Sequence, residues 1–196
     1  MKRLILIIVT CSTVFNTYCQ TDKKNLVGTH IAFGSGLYGI PFAKGANNNV
    51  KYFYSIGLDY VRVLSNHWDL CSGFEYTYTH MTVTYTGLPE RTPYKEYLTF
   101  LTLPVLLKYH FGKMVYLTGG PVFYLSKKSH DGHYAPYRSY GSGFVFGIGF
   151  EHEFSSGVML SLNPYARWNR MGGGLIGRNH YSFLQGGVSL GIGYKF

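Results

Sequence analysis

The chain is 196 residues long, which suits one domain, and it carries only 14% charged residues against 18% aromatic ones, the reverse of an ordinary soluble surface. No run of eighteen apolar residues occurs, which excludes a bundle of membrane-spanning helices. The formal charge of +9 does not point to nucleic acid, because the chain opens on an export signal and continues in strands suited to lipid.

Residues 1–19 read as a signal peptide: Lys2 and Arg3 form its basic start, Leu4 to Val9 its apolar core, and Thr17-Tyr18-Cys19 its cleavage zone. Loss of those two basic residues leaves +7 of the +9. A lipoprotein signal is the competing reading, since Cys19 is near the right place, but Asn16-Thr17-Tyr18 lacks the small residue expected ahead of a lipidated cysteine. After cleavage before Gln20 only Cys71 remains, so no disulfide framework is expected; the cysteine reads as a small buried residue in a strand. Residues 20–25 form a short periplasmic lead, and residues 26–196 are expected to be the folded domain.

Leu26 to Tyr38 alternates with period two: Val27, Ile31, Phe33 and Leu37 share one face with Thr29 and Ser35, and His30, Ala32, Gly34 and Gly36 take the other. A long polar loop, Gly39 to Asn49, separates it from a second strand, Val50 to Leu64. There Tyr52, Tyr54, Ile56, Leu58 and Tyr60 oppose Ser55, Gly57 and Asp59. The tight connection Ser65-Asn66-His67 leads into Trp68 to Tyr85, where Leu70, Phe74, Tyr76 and Tyr78 oppose Asp69, Gly73, Glu75, Thr77 and Thr79.

Thr86 to Lys95 is a long loop, Tyr97 to His110 a fourth strand, and Phe111-Gly112-Lys113 another tight turn. Met114 to Ser126 is a fifth, less regular strand. Lys127 to Arg138 is a loop and Tyr140 to Phe154 a sixth strand with Phe144, Phe146, Ile148 and Phe150 outward. Ser155-Ser156-Gly157 turns tightly into Val158 to Trp168. The glycine-rich loop Asn169 to His180 precedes the last strand, Tyr181 to Phe196, where Phe196, Tyr194, Ile192, Leu190 and Val188 face away from Lys195, Gly193, Gly191, Ser189 and Gly187.

Eight strands joined long and short by turns sort their connections onto two sides. That is the signature of an all-β, eight-stranded antiparallel up-and-down barrel crossing the outer membrane, with short turns periplasmic and long loops outside. Closure removes the edges that lipid could not satisfy. Nineteen tyrosines suit the two membrane interfaces. Strand parity places Asp59, Asp69, Glu75, Lys108, Glu151 and Lys195 inside, mostly toward the periplasmic end, so a mixed-sign network is expected in a bore too narrow for a wide pore. Pro104, Pro121 and Pro164 fall within strands and remove ladder donors. With the turn centred on Gly112, the first two lie nearly opposite each other and should share one bulge.

Strand four (Tyr97-Leu-Thr-Phe-Leu-Thr-Leu-Pro104-Val-Leu-Leu-Lys108-Tyr109-His-Phe111) and the Val115-Tyr-Leu-Thr-Gly-Gly-Pro121 segment after it resemble the PorT-like outer-membrane β-barrel family, as do Gly147-Ile-Gly-Phe-Glu151 and Gly193-Tyr194-Lys195-Phe196. The resemblance implies an integral outer-membrane protein with a structural, interaction or secretion-accessory role. Phe196 resembles the terminal signal read by the barrel assembly machinery.

Three motifs carry residue types suited to chemistry. His180-Tyr181-Ser182 has the His-x-Ser spacing of barrel lipid A deacylases, but no acidic residue follows to orient the base. His130-Asp131-Gly132-His133 could offer two imidazoles and a carboxylate to a metal, yet it lacks a third clear partner and reads as a solvated turn. Gly172-Gly-Gly174 has no lysine or helix behind it and reads as a loop tip. No catalytic, cofactor or metal residue is therefore expected. The basic outer loops carry Lys127, Lys128, Arg138, Arg170 and Arg178 against Asp131, a rim suited to lipopolysaccharide phosphates. Expected partners are outer-membrane lipid and lipopolysaccharide, the assembly machinery, and secretion-system or envelope proteins. A lipid A-modifying enzyme and a small transporter or channel remain the alternatives.

Overall fold

A computed structural model describes residues 24–40, 46–85, 94–130, 138–171 and 181–196. The expected signal peptide, most of the outer loops and the His180 and Gly172-Gly-Gly174 motifs lie outside these residues. Eight strands follow in order: β1 (Asn25–Ile40), β2 (Ala46–Val63), β3 (Trp68–Tyr85), β4 (Tyr94–Phe111), β5 (Val115–His130), β6 (Arg138–Glu153), β7 (Val158–Met171) and β8 (Tyr181–Lys195). Each pairs antiparallel with its sequence neighbour, and β8 returns to β1, closing the barrel. The shortest strand, at 14 residues, exceeds the roughly 9–11 that a strand tilted by ~45° needs to cross the hydrocarbon.

The strands extend further into the outer loops than alternation alone indicated. β2 begins at Ala46 and β4 at Tyr94, while Lys127 to His130 and Arg138, expected in a loop, lie in paired backbone of β5 and β6. Polar and basic residues weaken the periodic signal there, but inter-strand backbone hydrogen bonding does not require apolar side chains.

At the opposite end the connections are tight. Gly112 and Gly157 adopt φ of 83° and 84°, the left-handed conformation in which a Cβ is disfavoured. Leu64 and Ser65 both donate backbone hydrogen bonds to the Trp68 carbonyl, and Ser65 Oγ accepts from the Trp68 amide. On the same end Asn25 and Phe196 exchange backbone hydrogen bonds of 3.1 and 2.8 Å.

The prolines interrupt pairing without forming the expected bulge. From Pro104↔Val122 to Leu107↔Gly119 each strand advances three residues, so register is kept. The β6–β7 ladder is interrupted in the same way beside Pro164, between Gly147↔Tyr165 and Phe150↔Leu162. A missing donor removes a hydrogen bond but adds no residue. Ser72 Oγ donates to the Pro104 carbonyl at 2.9 Å, satisfying one acceptor there. Register shifts occur elsewhere, between Gly36 and Tyr38 and between Val50 and Tyr52.

The barrel is apolar outside and polar within. Val27, Ile31, Phe33, Ile56, Leu58, Phe74, Leu101, Phe146, Ile148 and Ile192 are all exposed on the outer wall. Aromatic rings border this wall toward both ends, where their amphipathic rings suit an interface. Toward the long-loop end His80 stacks on Tyr97 and leans on Tyr52, while Tyr54 stacks on Tyr78. At the short-turn end Tyr109 contacts both Trp68 and Phe111.

Candidate functional site in the barrel lumen

Eight narrow strands leave a bore that side chains can fill, and two levels of packing divide it. The half toward the long loops is dense: Phe53, Gln185, Val122, Thr77, Thr79 and Thr102 are fully buried, and Val50, Leu98, Phe100 and Tyr124 form an apolar cluster. Asn169 Nδ2 donates to Gln185 Oε1 at 2.8 Å within this half. The half toward the short turns is charged.

Two ionic groups occupy the charged half, each built from an Asp, a His, a Glu and a permanent cation. In the first, Arg167 of β7 donates from both terminal nitrogens to Glu75 of β3, at 2.9 and 2.6 Å. Thr77 Oγ1 adds a 2.8 Å hydrogen bond to the same carboxylate. His30 of β1 stands 2.6 Å from Asp59 and 3.9 Å from Glu75. In the second, Lys108 of β4 donates to Glu151 of β6 at 2.9 Å, and His110 stands 2.7 Å from Asp69 and 3.2 Å from Glu151. Lys108 Nζ also lies 4.3 Å over the Tyr116 ring, a cation–π distance.

The chemistry of this arrangement is that of mutual neutralisation. Isolated charges in a low-dielectric interior are costly, whereas a bidentate guanidinium–carboxylate pair satisfies both partners with directional bonds. Both imidazoles stand between two carboxylates.

Of the residues expected inside, Asp59, Asp69, Glu75, Lys108 and Glu151 are brought together in these two groups. Lys195 is not: it donates to Glu153 at 2.9 Å at the rim, with both side chains partly exposed, because it is the last residue of β8 and clears the bore. Three central members stand outside the charge set expected from sequence: His30, His110 and Arg167. His30 already shares the face of Ala32 by alternation, and His110 and Arg167 sit in the inward phase of Lys108 and Tyr165, so parity places all three inside. Among the outer basic residues, Arg170 is exposed and the backbone register places Lys127 opposite Arg138. The side chains of Lys127, Lys128 and Arg138, and all of Arg178, lie outside the described residues. Ser182 of the His-x-Ser motif is buried, and of the His130–His133 motif only the backbone of His130 is described.

Between the ionic groups lies a cavity of about 140 Å³, lined by Asp59, Glu75, Lys108, Tyr116, Tyr165 and Arg167 among others. Cys71 lines it too and is a free thiol.

No family model matches the chain. No curated protein is similar to it in sequence. Among solved structures it is similar to the outer membrane protein OprG of Pseudomonas aeruginosa, at 14% identity and a TM-score of 0.55, over 88% of this chain and 96% of that one. It is also similar to Ail, the attachment invasion locus protein of Yersinia pestis, at 14% identity and a TM-score of 0.50, over 89% of this chain and all of that one. At these identities the likeness is one of fold. The chain is an outer-membrane-type β-barrel of eight antiparallel strands, and its apolar outer wall suits it to the same membrane.

Proposed function

We propose that this protein is an integral outer-membrane barrel with a structural, interaction or secretion-accessory role and no reaction of its own. The observation that carries the reading is the closed bore. A fully buried layer around Phe53 and Gln185 caps two mixed-sign ionic groups, so the interior is organised to hold the barrel together. Recognition then falls to the outer loops and the rim. The basic set Lys127, Lys128, Arg138, Arg170 and Arg178 suits lipopolysaccharide phosphates, and the resemblance of strands four to six and the last four residues to PorT-like barrels supports an accessory task beside secretion or envelope proteins. Phe196 is the proposed signal to the assembly machinery.

Against a lipid A-modifying enzyme stands the burial of Ser182. Against a transporter stands the packed half of the bore. The test is chemical crosslinking in native outer membranes, followed by identification of captured partners, beside conductance in planar bilayers. The reading expects a reproducible envelope-protein partner and no steady conductance. Steady conductance by purified protein, or deacylated lipid A that depends on Ser182, would replace it.

A further inference from the structure

Three neighbouring strands end their outer wall in the same way. In the outward phase of β5 the chain reads Phe123, Leu125, Lys127 toward the long loops; β7 reads Ala166, Trp168, Arg170. On β6, which runs the other way, the same direction reads Phe144, Ser142, Tyr140, Arg138. Each strand therefore steps, over two residues, from a large apolar side chain to a basic residue. Leu125, Tyr140 and Trp168 are exposed, and so is Arg170. Among the described residues, no acid shares this outward phase in the loop-side half of the three strands. At a similar distance along β2, β3 and β4 stand Tyr52, His80 and Tyr97, so the basic positions are gathered on one side of the barrel.

Strand length sets the depth of these positions. Lys127 lies twelve residues along β5 from its short-turn end at Val115, and Arg170 lies twelve along β7 from Val158. A strand tilted by ~45° climbs about 2.4 Å per residue, so twelve residues climb about 29 Å. The apolar band of such barrels is roughly 25–30 Å tall. With the short turns at the inner interface, the basic positions reach the outer interface, where lipid phosphates lie. Leu125, Tyr140 and Trp168 stay at acyl-chain depth.

Register decides how many anions the face suits. Lys127 and Arg138 are direct cross-strand partners. Like charges placed opposite each other destabilise a sheet, so this pair calls for an anion shared between them. Arg170 pairs with Ser142, four residues along β6 from Arg138, a separation of about 14 Å. That span suits a disaccharide headgroup with a phosphate at each end.

We propose that the outward face of β5, β6 and β7 binds one bis-phosphorylated glycolipid of the outer leaflet. One phosphate lies between Lys127 and Arg138, the other at Arg170, and the acyl chains run along Leu125, Tyr140 and Trp168. The proposal rests on the reading of the basic set as a lipopolysaccharide contact and deepens it, selecting three strand-borne residues of that set. A lipid held on the wall leaves the loops above free for a protein partner.

The test titrates the purified mature protein in detergent micelles with bis-phosphorylated lipid A, and with the same lipid stripped of both phosphates. Native mass spectrometry counts the complexes. The variants are Arg138→Gln, the triple change Lys127→Gln, Arg138→Gln and Arg170→Gln, and Lys51→Gln. Lys51 is exposed on β2, across the barrel from β6, and its loss is the same single charge step as Arg138→Gln. The wild type should saturate at one lipid A, with the stripped lipid and the triple variant each at least about tenfold weaker. Arg138→Gln should weaken binding several-fold and Lys51→Gln should leave it unchanged. Equal weakening by Arg138→Gln and Lys51→Gln would mean attraction by net charge alone and overturn the site. Saturation that survives the triple variant also overturns the site, while the lipopolysaccharide reading stands on other residues. A wild type that keeps its boiling-dependent gel shift yet never saturates overturns both.

Discussion

Arg167 and Glu75 are 92 residues apart in the chain and meet through two hydrogen bonds of 2.9 and 2.6 Å inside the bore. Their strands, β7 and β3, are not neighbours in the barrel, so the pair ties opposite walls together across the lumen. Both side chains are buried, which makes the pair costly to break from one side.

Arg167→Met leaves the Glu75 carboxylate in the lumen without its guanidinium. It should destabilise the barrel by about 3–5 kcal/mol, measured by urea unfolding in lipid vesicles. The double variant Arg167→Met with Glu75→Leu should recover most of that loss, because no uncompensated charge then remains. Recovery of nothing in the double variant would mean that packing around Arg167, and not its charge, holds the walls together.

Ile56 lies exposed near the middle of β2, whereas Leu64 lies beside a short turn. In a bilayer the first position is deep and the second interfacial. Ile56→Arg should cost about 2–4 kcal/mol and Leu64→Arg about 0–1. Equal costs in vesicle-based unfolding would contradict the placement of the outer wall in lipid.

Gly73 and Gly119 are both strand glycines, but only one is crowded. A Cβ at Gly73 would collide with the Leu58 carbonyl oxygen and stand 3.1 Å from the Asp59 Cα, both backbone, while at Gly119 its nearest contact would be 3.4 Å away. Gly73→Ala should therefore lose about 1–3 kcal/mol through forced backbone movement. Gly119→Ala should be neutral or gain up to about 1 kcal/mol by restricting the unfolded chain. The two midpoints in a urea titration provide the comparison.

Most of the strand order was legible because side chains in a half-lipid, half-lumen wall alternate with a period of two. Tyr52, Tyr54, Ile56, Leu58 and Tyr60 all face out as their spacing requires. The identity of lumen partners was less legible. Parity states that Glu75 points inward, but which opposite strand it reaches depends on barrel closure and strand stagger, quantities with no local trace in sequence. Hence the alternation that puts Arg167 in the inward phase of Tyr165 does not pair it with Glu75, and it groups Lys195 with charges that Lys195 does not meet. The strand extensions through Lys127 and Arg138 were hidden for another reason: backbone pairing continues there after the apolar alternation has ended.

Removal of Phe196 takes away a residue whose backbone exchanges two hydrogen bonds with Asn25 across the β1–β8 closure. Its loss should lower the fraction of assembled protein in outer membranes several-fold, while protein refolded in detergent should still close, since the β1–β8 ladder runs on from Leu26↔Lys195 to Ile40↔Ser182. Equal loss in both settings would assign the residue to barrel stability and not to assembly.

The closed membrane barrel itself is tested most directly by heat-modifiability of protein extracted from outer membranes. Eight strands joined without an edge should survive detergent at room temperature and unfold only on boiling, giving two gel mobilities for one chain. A single mobility before and after boiling, with the protein recovered from the soluble periplasm, would contradict the barrel and every lipid-facing and lumen assignment built on it.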